Sequence, residues 1–126
     1  MQNPYAKYKQ QSVMTMTQGD MINLLFDEMI NRLNKGLLGL EVRDYEASNT
    51  HFKKAQAIIS HLASTLDPQY PVSKGLSSLY EYFNYQIIQA NVRKNPETVN
   101  EILPMIEELK EAFAQADKQV RIGHTG

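Results

Sequence analysis

Three histidines, His51, His61 and His124, are the residues of this chain best suited to holding a metal. His51 and His61 stand ten residues apart in one helical stretch. At 100° per residue they are about 80° out of phase and share no face. No Glu-x-x-His pair is present, the i, i+3 arrangement that aims both ligands into a di-metal bundle. The histidines read as surface residues, and neither a metal nor a cofactor is expected. Acidic neighbours Asp27-Glu28 and Glu107-Glu108 point in different directions on a helix, so they cannot share a proton as a catalytic dyad does. There is no Gly-rich phosphate loop, no G-x-S-x-G turn and no cysteine nucleophile. Serines and threonines gather at helix starts and on polar faces, where capping explains them. The chain reads as a non-enzyme with no catalytic residues.

Bulk composition narrows the choice further. A chain of 126 residues fits one domain with a core of its own. Without cysteine it has neither disulfides nor thiolate metal sites. A net charge of −1, with the charges evenly spread, lacks the footprint of a nucleic-acid binder. Helix-turn-helix recognition would also need a short basic helix, and the helical stretches here are long and mixed in charge. The opening MQNPYAKYK lacks the apolar run of a secretion signal, and no stretch reaches membrane-spanning length. A cytoplasmic location without membrane insertion is the expectation.

The elements that would position any binding residue are four amphipathic helices. Thr17 reads as an N-cap with Asp20 three residues on, a capping box with Asp in place of Glu. Ile22, Leu25, Phe26, Met29, Leu33, Leu37 and Leu40 then recur at spacings of three and four. Gly36 and Gly39 interrupt this stripe and would let a neighbouring backbone approach closely. Asp44 caps a second helix reaching Leu66, with Tyr45, Ser48, Phe52, Ala55, Ile59 and Leu62 inside. Pro68 and Pro71 stop it. Ser73 reads as the cap of a third helix, with Leu76, Leu79, Tyr80, Phe83, Ile87 and Ala90 inside. Asn95 and Pro96 fit the N-cap and first position of a fourth. Its stripe is Val99, Ile102, Ile106, Leu109, Phe113, Ala116 and Val120, with Pro104 as an expected kink. Four such helices with short connectors predict an all-α, antiparallel up-down four-helix bundle. Residues 1–126 read as one domain: an N-terminal segment at 1–16, the bundle at 17–120 and a frayed tail at 121–126.

Apolar residues outside the stripes carry the functional signal. Leu24 and Leu38 lie opposite the first stripe, and Ile58 flanks the second. Tyr82, Tyr85, Ile88 and Val92 fall more than about 100° from the centre of the third. The fourth helix has few, mainly Met105 and Ala112. A large apolar patch with tyrosines marks a partner surface. It fits either a protein-binding groove or a homodimer interface, the latter making the chain a structural or adaptor bundle. A monomer or weak homodimer is expected.

The leader Asn3–Met16 holds Tyr5, Tyr8, Val13, Met14 and Met16. Burying each large apolar side chain gains roughly 1.5–3 kcal/mol. Ordering the backbone costs about 1–2 kcal/mol per residue. Over such a length the two sums are similar, so a leader docked on the patch would be held weakly. The other reading is an ordinary N-terminus sealing one end of the core.

These motifs also resemble a known family. Asn3-Pro4-Tyr5 with Tyr8, followed by Val13, Thr15 and Thr17, resembles the opening of the flagellar secretion chaperones, the FliS family. Leu25-Phe26-Asp27, then Asn49, Lys54-Ala55-Gln56 and Ile59, are similar to its first- and second-helix motifs. Leu62, Thr65-Leu66-Asp67, Leu79-Tyr80-x-Tyr82 and Ala90-Asn91 continue the match in order over nearly the whole chain. The resemblance implies a bundle that binds the disordered C-terminal region of flagellin in the cytosol, prevents premature polymerisation and assists delivery to the type III export apparatus. The export gate is a further implied contact, and the N-terminal segment is implied to cover part of the binding surface until flagellin arrives. Joined with the off-stripe residues, this gives Tyr5, Tyr8, Val13, Ile58, Leu62, Leu79, Tyr82, Tyr85 and Ile88 as candidate flagellin-binding residues. The chain departs from the family pattern at Thr17-Gln18-Gly19-Asp20, at Glu28, at Pro68-Gln69-Tyr70-Pro71 and at Asn84-Tyr85-Gln86, where basic residues are common.

Overall fold

The computed structural model describes residues 18–125, with side chains through residue 119. Four helices follow in order: α1 (Gln18–Glu41), α2 (Tyr45–Ser64), α3 (Val72–Arg93) and α4 (Glu97–Thr125). Each packs on its neighbours in sequence, and α4 closes the ring against α1. This is the expected up-down four-helix bundle. Thr17, the expected cap of α1, lies outside the described residues.

The stripes read from the sequence form the core. Phe26, Met29, Leu33, Phe52, Ala55, Phe83, Ile87, Val99, Ile102 and Ile106 are fully buried. Ile22, Leu25, Leu37, Leu76, Leu79, Leu109 and Phe113 pack around them, half-buried. Two stripe assignments are corrected. Tyr45 stands in the first turn of α2 and is 42% exposed, with the Lys94 ammonium 5.6 Å from its ring centroid. Ala116 is also exposed, because it lies near the end of α4.

The closest approach in the bundle is that of α1 to α2. Gly36 and Gly39 are both buried there, facing the start of α2. A side chain on Gly36 would overlap the Phe52 ring. One on Gly39 would sit 2.9 Å from the Ser48 backbone nitrogen. The fully buried Ser48 donates its hydroxyl proton to the Gly36 carbonyl at 2.6 Å. A buried hydroxyl is thereby satisfied across the contact that the glycines make possible.

Both loops at this end of the bundle use the same device. Arg43 N–H bonds to the Leu40 carbonyl and Asp44 N–H to the Gly39 carbonyl, the two bonds of a Schellman motif. The left-handed position is held by Arg43, at φ 61°. At the second loop both the Lys94 and Asn95 N–H groups return to the Ala90 carbonyl, with Lys94 left-handed at φ 55°. The next residue caps the following helix in each case. Ala47 N–H donates to the Asp44 carboxylate at 3.1 Å, and Glu97 N–H to the Asn95 side-chain oxygen at 2.8 Å.

The connection between α2 and α3 follows a different plan. Pro71, not Ser73, holds the N-cap position of α3 and makes no side-chain cap bond. Its φ of −57° already suits a helix, so the helix begins before Ser73. Downstream, α4 continues through the exposed Pro104 and on past Val120 to Thr125.

Gly39→Ala is expected to lower stability by about 1–3 kcal/mol in urea unfolding, because the obstacle is backbone. The better helix propensity of alanine, about 1 kcal/mol, offsets only part of this. Arg43→Gly should raise the melting temperature, since removing Cβ from a left-handed residue relieves about 1 kcal/mol.

Candidate binding surface

His51 and the Asp27-Glu28 pair are absorbed into structural contacts. The Arg32 guanidinium lies 3.1 Å from His51 Nδ1 and 2.8 Å from a Glu28 carboxylate oxygen. Because Arg32 can only donate, His51 accepts through a neutral ring. Burial first, then the positive charges of Arg32, Lys35 and Lys54, hold His51 below the ordinary histidine range. Asp27 turns the other way, to an ion pair with Lys110 on α4. Neighbouring carboxylates thus serve different helix pairs. Among the described residues no cluster of His, Asp and Glu could hold a metal.

A cleft of about 440 Å³ opens at the end of the bundle where α1 begins. Ile22, Leu62, Leu66, Leu76, Tyr80 and Phe113 line it. Burial pushes the Tyr80 phenol up to about 12, so it stays protonated. Other polar groups at the cleft belong to the fold: the Thr65 hydroxyl donates to the Leu62 carbonyl at 2.7 Å, and the Asp67 carboxylate accepts from Gln69 N–H at 2.9 Å. The cleft offers an apolar receptacle without converging catalytic groups.

The apolar residues left outside the core concentrate on α3. Tyr85, Ile88 and Val92 are 58%, 38% and 73% exposed, at spacings of three and four on the outer face. Leu24 and Leu38 are exposed on the outer face of α1, and Val42 is exposed just past its end. There the apolar residues are separated by Glu28, Asn31 and Lys35.

Of the nine candidate residues, Tyr5, Tyr8 and Val13 lie outside the described residues. The other six divide among four environments. Tyr85 and Ile88 share the outer face of α3. Tyr82 lies toward α4, where its hydroxyl oxygen accepts from the Gln86 amide at 3.2 Å. Leu79, half-buried, stands one turn before Tyr82. Ile58 lies elsewhere: it follows His51 by seven residues, so it shares the face that meets α1. Leu62 is only 2% exposed and belongs to the core, where it forms part of the cleft wall.

Sequence reasoning missed the polar seams that frame this surface. Asn91 donates to Asn49 at 2.7 Å and Gln56 to Asn84 at 3.0 Å, pairing α2 with α3. Each helix contributes residues seven apart, and that spacing was the available signal. On the other side of α3, the buried Gln86 donates to Glu101 at 3.1 Å. Its backbone carbonyl accepts from the Thr98 hydroxyl at 2.7 Å. Among the described residues no buried side-chain polar atom lacks a partner.

An all-α bundle with an apolar outer face, satisfied polar seams and no catalytic constellation among its described residues has the architecture of a binding protein. No described helix is long and apolar enough to cross a membrane. The family model for flagellar protein FliS matches residues 1–120, and the chain belongs to that family. Flagellar secretion chaperone FliS of Bacillus subtilis (strain 168) is 29% identical over 120 residues, covering 95% of this chain and 90% of the relative. The protein of the same name from Salmonella typhimurium is 30% identical over 115 residues, covering 88% and 85%. That of Vibrio cholerae is 28% identical over 96 residues, covering 75% and 71%. Chaperones are not an enzyme class.

Since the fold holds His51 neutral, the unfolded chain takes up a proton just below pH 6.5 that the folded chain refuses. Stability should fall as pH drops from 6.5 toward the lowered native value. Melting curves from pH 7.5 to 5 should show that slope, and His51→Gln, which keeps an acceptor for Arg32, should flatten it.

Proposed function

We propose that this protein is a cytoplasmic export chaperone for flagellin. It binds the disordered C-terminal region of newly made flagellin, prevents premature polymerisation and assists delivery to the flagellar type III export apparatus. The observation that carries this reading is the exposed stripe of Tyr85, Ile88 and Val92 on a chain of the FliS family. Large apolar side chains held outside a complete core are what a disordered partner needs in order to bury its own apolar residues. Because such a partner orders as it binds, part of the interaction energy goes to conformational entropy, and release remains accessible.

The leader enters this reading as a latch. Residues 1–16 carry Tyr5, Tyr8 and Val13, and the first described residue, Gln18, lines the end cleft. A leader seated on apolar surface would be displaced by flagellin because its burial gain and ordering cost nearly cancel. The export gate is the further partner of the loaded complex.

Calorimetric titration with a C-terminal flagellin segment tests the function, and absence of binding at micromolar concentration counts against it. Tyr85→Ala and Ile88→Ala should each weaken binding by roughly tenfold, the scale of an interface hot spot. Leu38→Ser on the outer face of α1 should leave it unchanged. Tyr5→Ala with Tyr8→Ala should alter flagellin affinity while shifting the melting temperature only modestly. A large loss of stability with unaltered binding would instead assign the leader to sealing the core.

A further inference from the structure

A second surface lies beside the α3 outer face, in the groove between α3 and α4. Gln86 fixes its geometry, since its amide reaches both the Tyr82 hydroxyl and the Glu101 carboxylate. From these anchors the helical repeat extends the groove in both directions. On α3 the same strip continues from Tyr82 to Leu79 and Gly75, at spacings of three and four. On α4 it runs from Glu101 through Met105 and Glu108 to Ala112.

The groove combines three properties. Tyr82 and Met105 are exposed apolar side chains, and Leu79 and Leu109 are half-buried between them and the core. Gly75 and Ala112 keep the end nearer the start of α3 shallow, and a side chain added at Gly75 would meet nothing within 4 Å. The α4 wall is acidic. Glu97, Glu101 and Glu108 stand on the strip at spacings of four and seven, and all three are exposed. Lys110, which would offset them, is drawn to Asp27 on the opposite side of α4. Arg93, at the far end, is the one basic residue of the two strips.

We propose that this groove receives an amphipathic helix whose apolar stripe is flanked by lysine or arginine. Its floor repeats at three and four residues along about 20 Å of helix, which matches apolar side chains of a third helix laid along the seam. The acidic wall selects the sign of the flanking charge, because a like-charged helix would be repelled and a basic one drawn in. The exposed stripes of α1 and α3 lack the uninterrupted apolar spacing such a helix needs: that of α1 is broken by Glu28, Asn31 and Lys35, and that of α3 is preceded by Glu81. The helix therefore comes from a different polypeptide. Assigning it to a helical part of the flagellin client rests on the export-chaperone reading; the chemistry of the groove does not.

The test uses two designed peptides of about 14 residues, long enough to span the groove: a Leu–Lys amphipathic helix and its Leu–Glu counterpart. Binding to the full-length protein is followed by methyl NMR of the methionines. The Leu–Lys helix is expected to bind and shift the Met105 methyl, while the Leu–Glu helix does not bind. Met105→Asp and Glu108→Lys, both at exposed positions, should each weaken the Leu–Lys helix by about tenfold or more. Tyr85→Ala, on the outer face, should leave it within twofold. Equal binding of the two peptides, or Leu–Lys binding insensitive to Met105 and Glu108, overturns the proposal. A flagellin segment that binds without competing with the Leu–Lys helix would leave the groove standing and remove flagellin as its occupant. Failure of flagellin to bind at all would count against the export-chaperone reading alone.

Discussion

The approach of α1 to α2 over Gly36 and Gly39 is the contact on which the rest of the bundle depends. With no side chain at either position, the Phe52 ring and the Ser48 backbone move in against α1. The Ser48 hydroxyl then reaches the Gly36 carbonyl, and the Schellman loop can close from Gly39 to Asp44 within the same turn. Two glycines in a helix interior cost about 1 kcal/mol each relative to alanine. What they permit is the full burial of Phe52 against α1, in a core that also fully buries Phe26 and Phe83 and has no tryptophan. Close packing of this kind leaves little freedom of register, so the outer faces of all four helices are set by it.

Polar side chains then finish what the apolar stripes begin. Asn49 with Asn91 and Gln56 with Asn84 hold α2 to α3, and Gln86 with Glu101 and Thr98 holds α3 to α4. Directional bonds specify register without needing apolar residues at the seam. The outer face of α3 is therefore free to carry Tyr85, Ile88 and Val92, since none of them is required for holding the bundle together. A binding surface placed on the outside of an already complete core can change without loss of the fold.

Much of this was legible in the sequence, for physical reasons. The period of apolar residues identified all four helices, and Asp44 and Asn95 marked the caps of α2 and α4 because their short side chains accept from the next turn. The off-stripe residues on α3 were visible for the same reason. What periodicity cannot supply is the identity of a neighbour. Ile58 and Ile88 both read as off-stripe, yet Ile58 belongs to the face toward α1 and Ile88 to the outer face of α3. Leu62 read at once as core and as contact, and it lies buried in the wall of the end cleft. Tyr45 matched the stripe by spacing but stands in the first turn of α2, where its ring meets Lys94. Gln86 read only as a polar residue of α3, and the fold reveals the buried amide that joins Tyr82 to Glu101.

The two short loops that turn on a left-handed residue have a kinetic consequence. Each joins its helices through a few residues, so α1 with α2 and α3 with α4 are local hairpins whose closure requires little search. Folding rate across small domains rises as contacts become more local, and helical bundles occupy the fast end of that range. That locality is built into two left-handed residues, Arg43 and Lys94.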